Sequence, residues 1–345
     1  MNSDNYGAVC LTGSKMKKII IIILSAVMLT CLCSCGESAT TEGATKESLR
    51  DGTLDIVCTI FPAYDWIRHI MGGEFSVADV KLLLDGGMEL HSFQPTAEDM
   101  ITVSQCDLFI YVGGASDSWV PGVLSSSGAG CRTLSLMDTL SASVLEEETV
   151  EGMQAGSDAG GAAEYDEHVW LSLKNAAVLC DALCEVLSEL DPDSAAVYRA
   201  NTDEYKSQIL ALDGEFAEFV RALDGGRPVL FGDRFPFRYF TEDYNIDYYA
   251  AFSGCSADSE ASFETVSFLA GKMDEYRLEY IFDLEDSENG LAETIVNSTA
   301  DKQAEILTLD SMQSVTMEDV ASGADYLEIM RENCMKFETA LEGNS

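Results

Sequence analysis

Beyond residue 50 the chain alternates short apolar runs with amphipathic stretches. Residues 54–60 and 76–84 read as strands, and between them 63–71 reads as a helix closed by Gly72-Gly73. Thr96 opens a helix with Glu98 and Asp99 in its first turn, leading into a strand at 106–112. A short helix at 116–124 and a strand at 131–136 follow. Two longer helices come next, at 172–190 and 194–223, separated by Asp191-Pro192. The second carries Tyr198, Tyr205, Ile209, Leu212, Phe216 and Phe219 at steps of seven, four, three, four and three. Its thirty or so residues make a rod of roughly 45 Å, long enough to bridge two lobes. Strand and helix then alternate again, with strands at 228–231, 247–252, 280–284 and 304–309 and helices at 235–244, 263–276, 290–300 and 326–341. This spacing predicts βαβ units. The fold expected is α/β: an N-terminal lobe at 53–190, a linking helix within 191–224 and a C-terminal lobe at 225–345, each lobe a mostly parallel sheet flanked by helices.

One segment breaks the rhythm. Between 138 and 167 there are nine acidic residues and no Lys, Arg or His, and "GMQAGSDAGGAAEYDE" supplies the small residues of a flexible loop. Two readings stand: a solvated loop, or a weak collector of cations. The whole chain shares the bias, with 60 acidic against 20 basic residues and a net charge of −40. That argues against nucleic acid or anionic lipid headgroups as partners and suits a protein that handles cations.

The N-terminus reads as an export signal. Met16-Lys17-Lys18 opens a basic region, 19–30 is an apolar stretch too short to span a bilayer, and Leu32-Cys33-Ser34-Cys35-Gly36 closes it. Leu32 at −3 and Ser34 at −1 match a bacterial lipobox, which makes Cys35 the expected lipidated residue. A plain secretory signal or a short anchor is the alternative. Residues 36–52 then form a polar tether, and Met16 competes with Met1 as the start.

Cys58, Cys106, Cys131, Cys180, Cys184, Cys255 and Cys334 are odd in number and mostly lie in apolar patterns, so they read as small buried hydrophobes rather than a disulfide framework. Histidine is scarcer, with three in the chain. His69, beside Arg68 on the first helix, reads as an ordinary surface or capping position. His91 and His168 each lie in a loop that leads into a helix, His91 just beyond a strand and His168 just beyond the acidic segment. Ligands of open α/β sheets bind beyond the strands' carboxyl ends, so the two histidines are candidates for joint metal ligation or for separate loop hydrogen bonds.

The blocks "IFPAYDWIRHIMGGEFSVADVKLLLDGGMELHSFQPTAEDM", "CDLFIYVGG", "YDEHVWLSLKNA", "LDPDSAAVYRANTDEY" and "DYLEIMRENCMKFETAL" resemble, in order from Leu54 to Leu341, the zinc- and manganese-type substrate-binding lipoproteins of bacterial ABC metal importers (solute-binding protein family 9). The resemblance implies metal bound between two α/β lobes held by a long helix, with His91 and His168 as ligands. It also implies an extracytoplasmic, lipid-anchored and monomeric protein that delivers its ion to a permease in the cytoplasmic membrane. Zinc-type members often carry a histidine-rich loop where 138–167 lies here, and this chain has no histidine there.

The family's third ligand, His or Glu, falls on Arg234, whose guanidinium has no lone pair to offer. Its neighbour Asp233 has one, with Arg234 as a supporting partner, although capping the following helix suits Asp233 equally. The fourth falls on Asp310. Two histidines and two carboxylates are compatible with Zn²⁺ and with Mn²⁺, the oxygens leaning towards the harder ion, and zinc ranks first because the loop and the sequence blocks resemble the zinc-type branch more. Such a set, filled by protein ligands, implies capture rather than catalysis. A metallohydrolase using Glu167 and a surface adhesin on the same scaffold are the readings from other classes.

Overall fold

The computed structural model describes residues 53–73, 77–87, 89–126, 130–154, 165–223, 225–256, 260–287 and 290–343. Cys35 and the rest of the export signal and tether lie outside them. The first four strands, β1 (Leu54–Cys58), β2 (Ala78–Leu82), β3 (Leu108–Tyr111) and β4 (Arg132–Ser135), form a sheet in the order β2-β1-β3-β4, parallel throughout. Helices α1 (Phe61–Ile70), α2 (Ala97–Gln105) and α3 (Val120–Ser126) connect them. The second sheet repeats the plan. Strands β5 (Val229–Phe235), β6 (Tyr248–Ser253), β7 (Tyr280–Leu284) and β8 (Glu305–Leu309) run parallel in the order β6-β5-β7-β8. In both sheets the chain reverses its direction of travel at the first strand, which opens a crevice beyond the carboxyl ends of the first and third strands.

Local chemistry sets the helix starts. Thr96 accepts the amide of Asp99 while the Asp99 carboxylate accepts the amide of Thr96, a reciprocal cap that satisfies two orphan donors of α2. Between the sheets lie α4 (Leu136–Leu140), α5 (Leu173–Leu190) and α6 (Ala195–Ala222). The 28 residues of α6 span about 42 Å and bury Tyr198, Tyr205, Ile209, Leu212 and Phe216, five of the six residues of the sequence stripe.

The C-terminal half adds α7 (Arg238–Tyr244), α8 (Phe263–Tyr276), α9 (Leu291–Ser298), α10 (Met317–Ser322) and α11 (Tyr326–Gly343). The last helix ties the halves together. Phe337 lies 4.6–6.3 Å from the rings of Phe216, Phe231, Phe237, Phe240 and Phe282. At the other end of α11 Tyr326 packs edge-on to Trp66 at 5.2 Å and donates its hydroxyl hydrogen to the carbonyl of Trp170. One continuous apolar core therefore runs through both lobes, and a smaller one lies within the second.

Three sequence expectations change. The strand expected to stop at Phe231 continues through Gly232, Asp233 and Arg234 to Phe235, with a bulge between Phe231 and Arg234. The next helix starts at Arg238 with Phe237 at its N-cap, so Asp233 caps nothing. The described part of the acidic segment is anchored rather than loose. Arg238 donates to the Glu146 carbonyl and pairs with Glu148, Gln154 donates its amide hydrogen to Ala251, and Met153 is buried.

Candidate metal centre

Three loops converge between the lobes. His91 lies in a single turn of 3-10 helix, Leu90–Ser92, beyond β2. His168 precedes another, Val169–Leu171, that feeds α5. Cys255 lies two residues past the end of β6. One side-chain ligand atom from each falls within 4.8 Å of the other two, and the Nε2 atoms of His91 and His168 are 3.2 Å apart.

The surroundings determine which nitrogens face each other. Fully buried Asp166 accepts both the His168 backbone amide at 2.8 Å and its Nδ1–H at 3.0 Å. A carboxylate only accepts, so the proton sits on Nδ1 and the Nε2 lone pair points into the centre. His91 Nδ1 lies 2.9 Å from Ser116 Oγ. The donors then run in one direction: Ser116 Oγ–H to His91 Nδ1, His91 Nε2–H to His168 Nε2, His168 Nδ1–H to Asp166. An incoming cation needs the His91 Nε2 lone pair, so the His91 proton must move to Nδ1. Glu167 Oε2, 3.9 Å from that nitrogen, lies ready on that side. This oxygen has no hydrogen-bond partner among the described residues, while Oε1 of the same carboxylate accepts the Ser116 amide. Burial, then the neighbouring His168 and Arg234, pushes the His91 pKa down to about 3, so the imidazole is neutral and able to ligate at neutral pH.

Both lobes hold the His168 segment. Tyr239 of α7 donates to the Asp166 carbonyl at 2.7 Å and accepts the Leu145 amide at 3.1 Å, and Trp170 Nε1 donates to the Ser311 carbonyl at 2.9 Å. Gly254 matters for space. A Cβ there would lie 3.1 Å from the His168 ring and 2.7 Å from the Phe235 carbonyl oxygen. Cys255 is held by its backbone amide, which donates to Glu147 Oε1 at 2.8 Å; burial, followed by Asp166 and Glu147, pushes its thiol pKa up.

The structure thus brings His91 and His168 together and adds Cys255, which the sequence reading took for a small buried hydrophobe. No local signal marked it, because a cysteine shortly after the apolar run of β6 reads the same whether it packs or binds. The carboxylates of Asp233 and Asp310 fall outside this group. Asp233 Oδ1 accepts the Arg234 amide at 2.7 Å within β5. Arg234 reaches across to the first lobe and pairs in bidentate fashion with Glu89, two residues before His91. Asp310, one residue past β8, accepts the Met312 amide at 2.7 Å and lines a crevice with Gly87, Glu285 and Asp286. Burial raises its pKa, and burial together with Asp310 pushes Glu285 up to about 7.

A second group, Asp65, His69 and Asp325, also lies within 4.8 Å. A cation already serves it, because Arg68 Nη2 lies 2.6 Å from Asp65 and 3.3 Å from Asp325. His69 stacks on Tyr205 at 4.0 Å and contacts Asp325 at 2.8 Å, so it is a buried-edge ion-pair partner rather than an ordinary surface residue.

The chain is similar to proteins named for zinc binding and zinc uptake. It is 29% identical over 95% of its length to the zinc-binding lipoprotein AdcA of Streptococcus pneumoniae serotype 4, and spans 62% of that protein. It is 24% identical over 91% of its length to the high-affinity zinc uptake system protein ZnuA of Bacillus subtilis, covering 94% of it. The crystal structure of the Zn(II)-bound ZnuA-like domain of Streptococcus pneumoniae AdcA superposes with a TM-score of 0.66 at 25% identity, over 84% of this chain and all of that domain. Residues 56–340 match the family described as zinc-uptake complex component A, periplasmic, and the chain belongs to that ZnuA family.

Proposed function

We propose that this protein captures a divalent transition metal, zinc first, outside the cytoplasm and delivers it to an ABC permease in the cytoplasmic membrane. The observation that carries this reading is the pair of Nε2 atoms 3.2 Å apart. With Zn–N of 2.0–2.1 Å, two nitrogens of a tetrahedron lie about 3.3 Å apart. The other ring nitrogen of each imidazole is held by Asp166 or Ser116, the outer support that metal-binding histidines require. The names of the relatives, zinc-binding and zinc uptake, favour zinc over manganese.

His91 and His168 are the proposed protein ligands in the cleft. Asp310 is the carboxylate proposed to reach the ion on loading, and Asp233 is assigned to holding Arg234. Nearby acidic groups are engaged in positioning: Asp166 on His168 and Glu167 on Ser116. That arrangement favours a carrier over a hydrolase. Lipidation at Cys35 would tether the monomer to the outer face of the membrane, in keeping with the lipoprotein relative.

Purified protein, stripped of metal and titrated with zinc against a competing chelator, should bind one tight ion per chain. The double variant His91→Ala/His168→Ala should lose it while keeping its circular dichroism. Unchanged stoichiometry in that variant overturns the reading.

A further inference from the structure

The two imidazoles come from the first lobe, and with Asp310 proposed to reach the ion a tetrahedral set still has one position to fill. Arg234, whose guanidinium influences His91, is a cation committed to Glu89 and cannot fill it. Cys255 Sγ lies within 4.8 Å of a ring nitrogen of each histidine. With Zn–S of about 2.3 Å and Zn–N of about 2.05 Å, a tetrahedral ion places sulfur and nitrogen roughly 3.6 Å apart. From the 4.8 Å bound, closing the gap requires a relative shift of up to about 1.2 Å between the Cys255 loop and the imidazoles. That loop has a fixed point, the Cys255 amide on Glu147 Oε1, and Gly254 lets the His168 ring lie against it.

We propose that Cys255 is a ligand of the transported ion, adding a sulfur to His91, His168 and the carboxylate of Asp310 across the cleft, and that this sulfur makes the site select zinc over manganese. On loading, the S–H bond is replaced by a metal–sulfur bond and the proton leaves to solvent. Thiolate is a soft donor that suits zinc, whereas manganese favours oxygen, so one sulfur biases the site where two imidazoles alone discriminate less. Glu167 Oε2, buried beside the centre with no hydrogen-bond partner among the described residues, offers oxygen and so does not favour zinc over manganese.

The proposal rests on the metal-binding reading above, and cobalt(II) separates the two. Cobalt bound through sulfur shows an intense thiolate-to-metal charge-transfer band in the near ultraviolet; cobalt bound through nitrogen and oxygen alone does not. Under reducing, anaerobic conditions the wild-type protein should show that band at one cobalt per chain. Cys255→Ser should lose the band and keep the visible d–d bands. Its zinc affinity should fall by more than about tenfold, since losing even an outer partner costs 10–100-fold, with manganese affinity little changed. Cobalt bound without the band, or a Cys255→Ser variant with wild-type zinc affinity, overturns the role of Cys255 and leaves the histidine site standing. Failure of the wild-type chain to bind cobalt or zinc overturns both.

Discussion

Asp166→Asn tests whether the centre depends on a fixed imidazole tautomer. The substitution keeps the shape of a side chain that is fully buried and removes its charge. One carboxylate oxygen accepts two donors, the His168 amide and Nδ1–H, and the other has no hydrogen-bond partner among the described residues. If the asparagine oxygen takes the first position, its NH₂ occupies the second and is buried without an acceptor, at a cost of about 1–3 kcal/mol. If the NH₂ takes the first position, Nδ1 must accept, and the proton moves to the nitrogen the metal needs. Both arrangements weaken the site. Loss of a partner behind a metal-binding histidine costs about 10–100-fold in affinity, or about 1.4–2.8 kcal/mol at 1.4 kcal/mol per decade. Zinc titration against a chelator of matched affinity reads this directly, with circular dichroism as the control for folding. An Asp166→Asn affinity within twofold of wild type, alongside loss of binding in His168→Ala, would refute the claim that Asp166 sets the tautomer.

Three further outcomes follow from other parts of the molecule. The His69 pKa is raised to about 9: burial alone would lower it, but hydrogen bonds to Asp325 and Asp65, and their charges, outweigh burial. A raised folded-state value means that this contribution is fully present below the unfolded pKa near 6.5 and is lost as pH rises through about 9; Tm should therefore fall between pH 7 and 10 more steeply in wild type than in His69→Gln. Phe337→Ala empties the hub where five phenylalanine rings meet and should cost about 3–5 kcal/mol, seen as a drop in Tm on the order of 10 °C; a change within 2 °C would contradict the hub. Gly254→Ala places a methyl 3.1 Å from the His168 ring, and should lower zinc affinity more than it lowers Tm, the reverse of what Phe337→Ala does.

Regular elements were legible because their signals are local. The bounds 263–276 of α8 and 280–284 of β7 match the pattern residue for residue, and the Thr96 cap was visible in three adjacent side chains. Long-range partners were not legible. A glycine followed by Asp233-Arg234 reads as a strand ending, yet the strand continues because Arg234 finds Glu89, 145 residues away in sequence. The composition of 138–167 signals a solvated loop, and nothing local shows that Arg238 and Tyr239 hold its first half about 90 residues away. His91 and His168 stood out because histidine is scarce. Cys255 did not, since a cysteine after an apolar run has the same local pattern whether it packs or binds.

The shared core limits how far the two lobes can swing apart. Trp66 on Tyr326, Trp170 on Ser311 and the rings around Phe337 belong to one apolar mass crossing from lobe to lobe. Swinging the lobes apart would wet part of it at about 2.5 kcal/mol for each 100 Å² of apolar surface, a toll that rises quickly with the angle. Rearranging the loops that bear His91 and Cys255 wets far less. On the proposed carrier reading, release then falls to a few residues at the rim, and the Arg234–Glu89 bridge between the lobes ends two residues from His91.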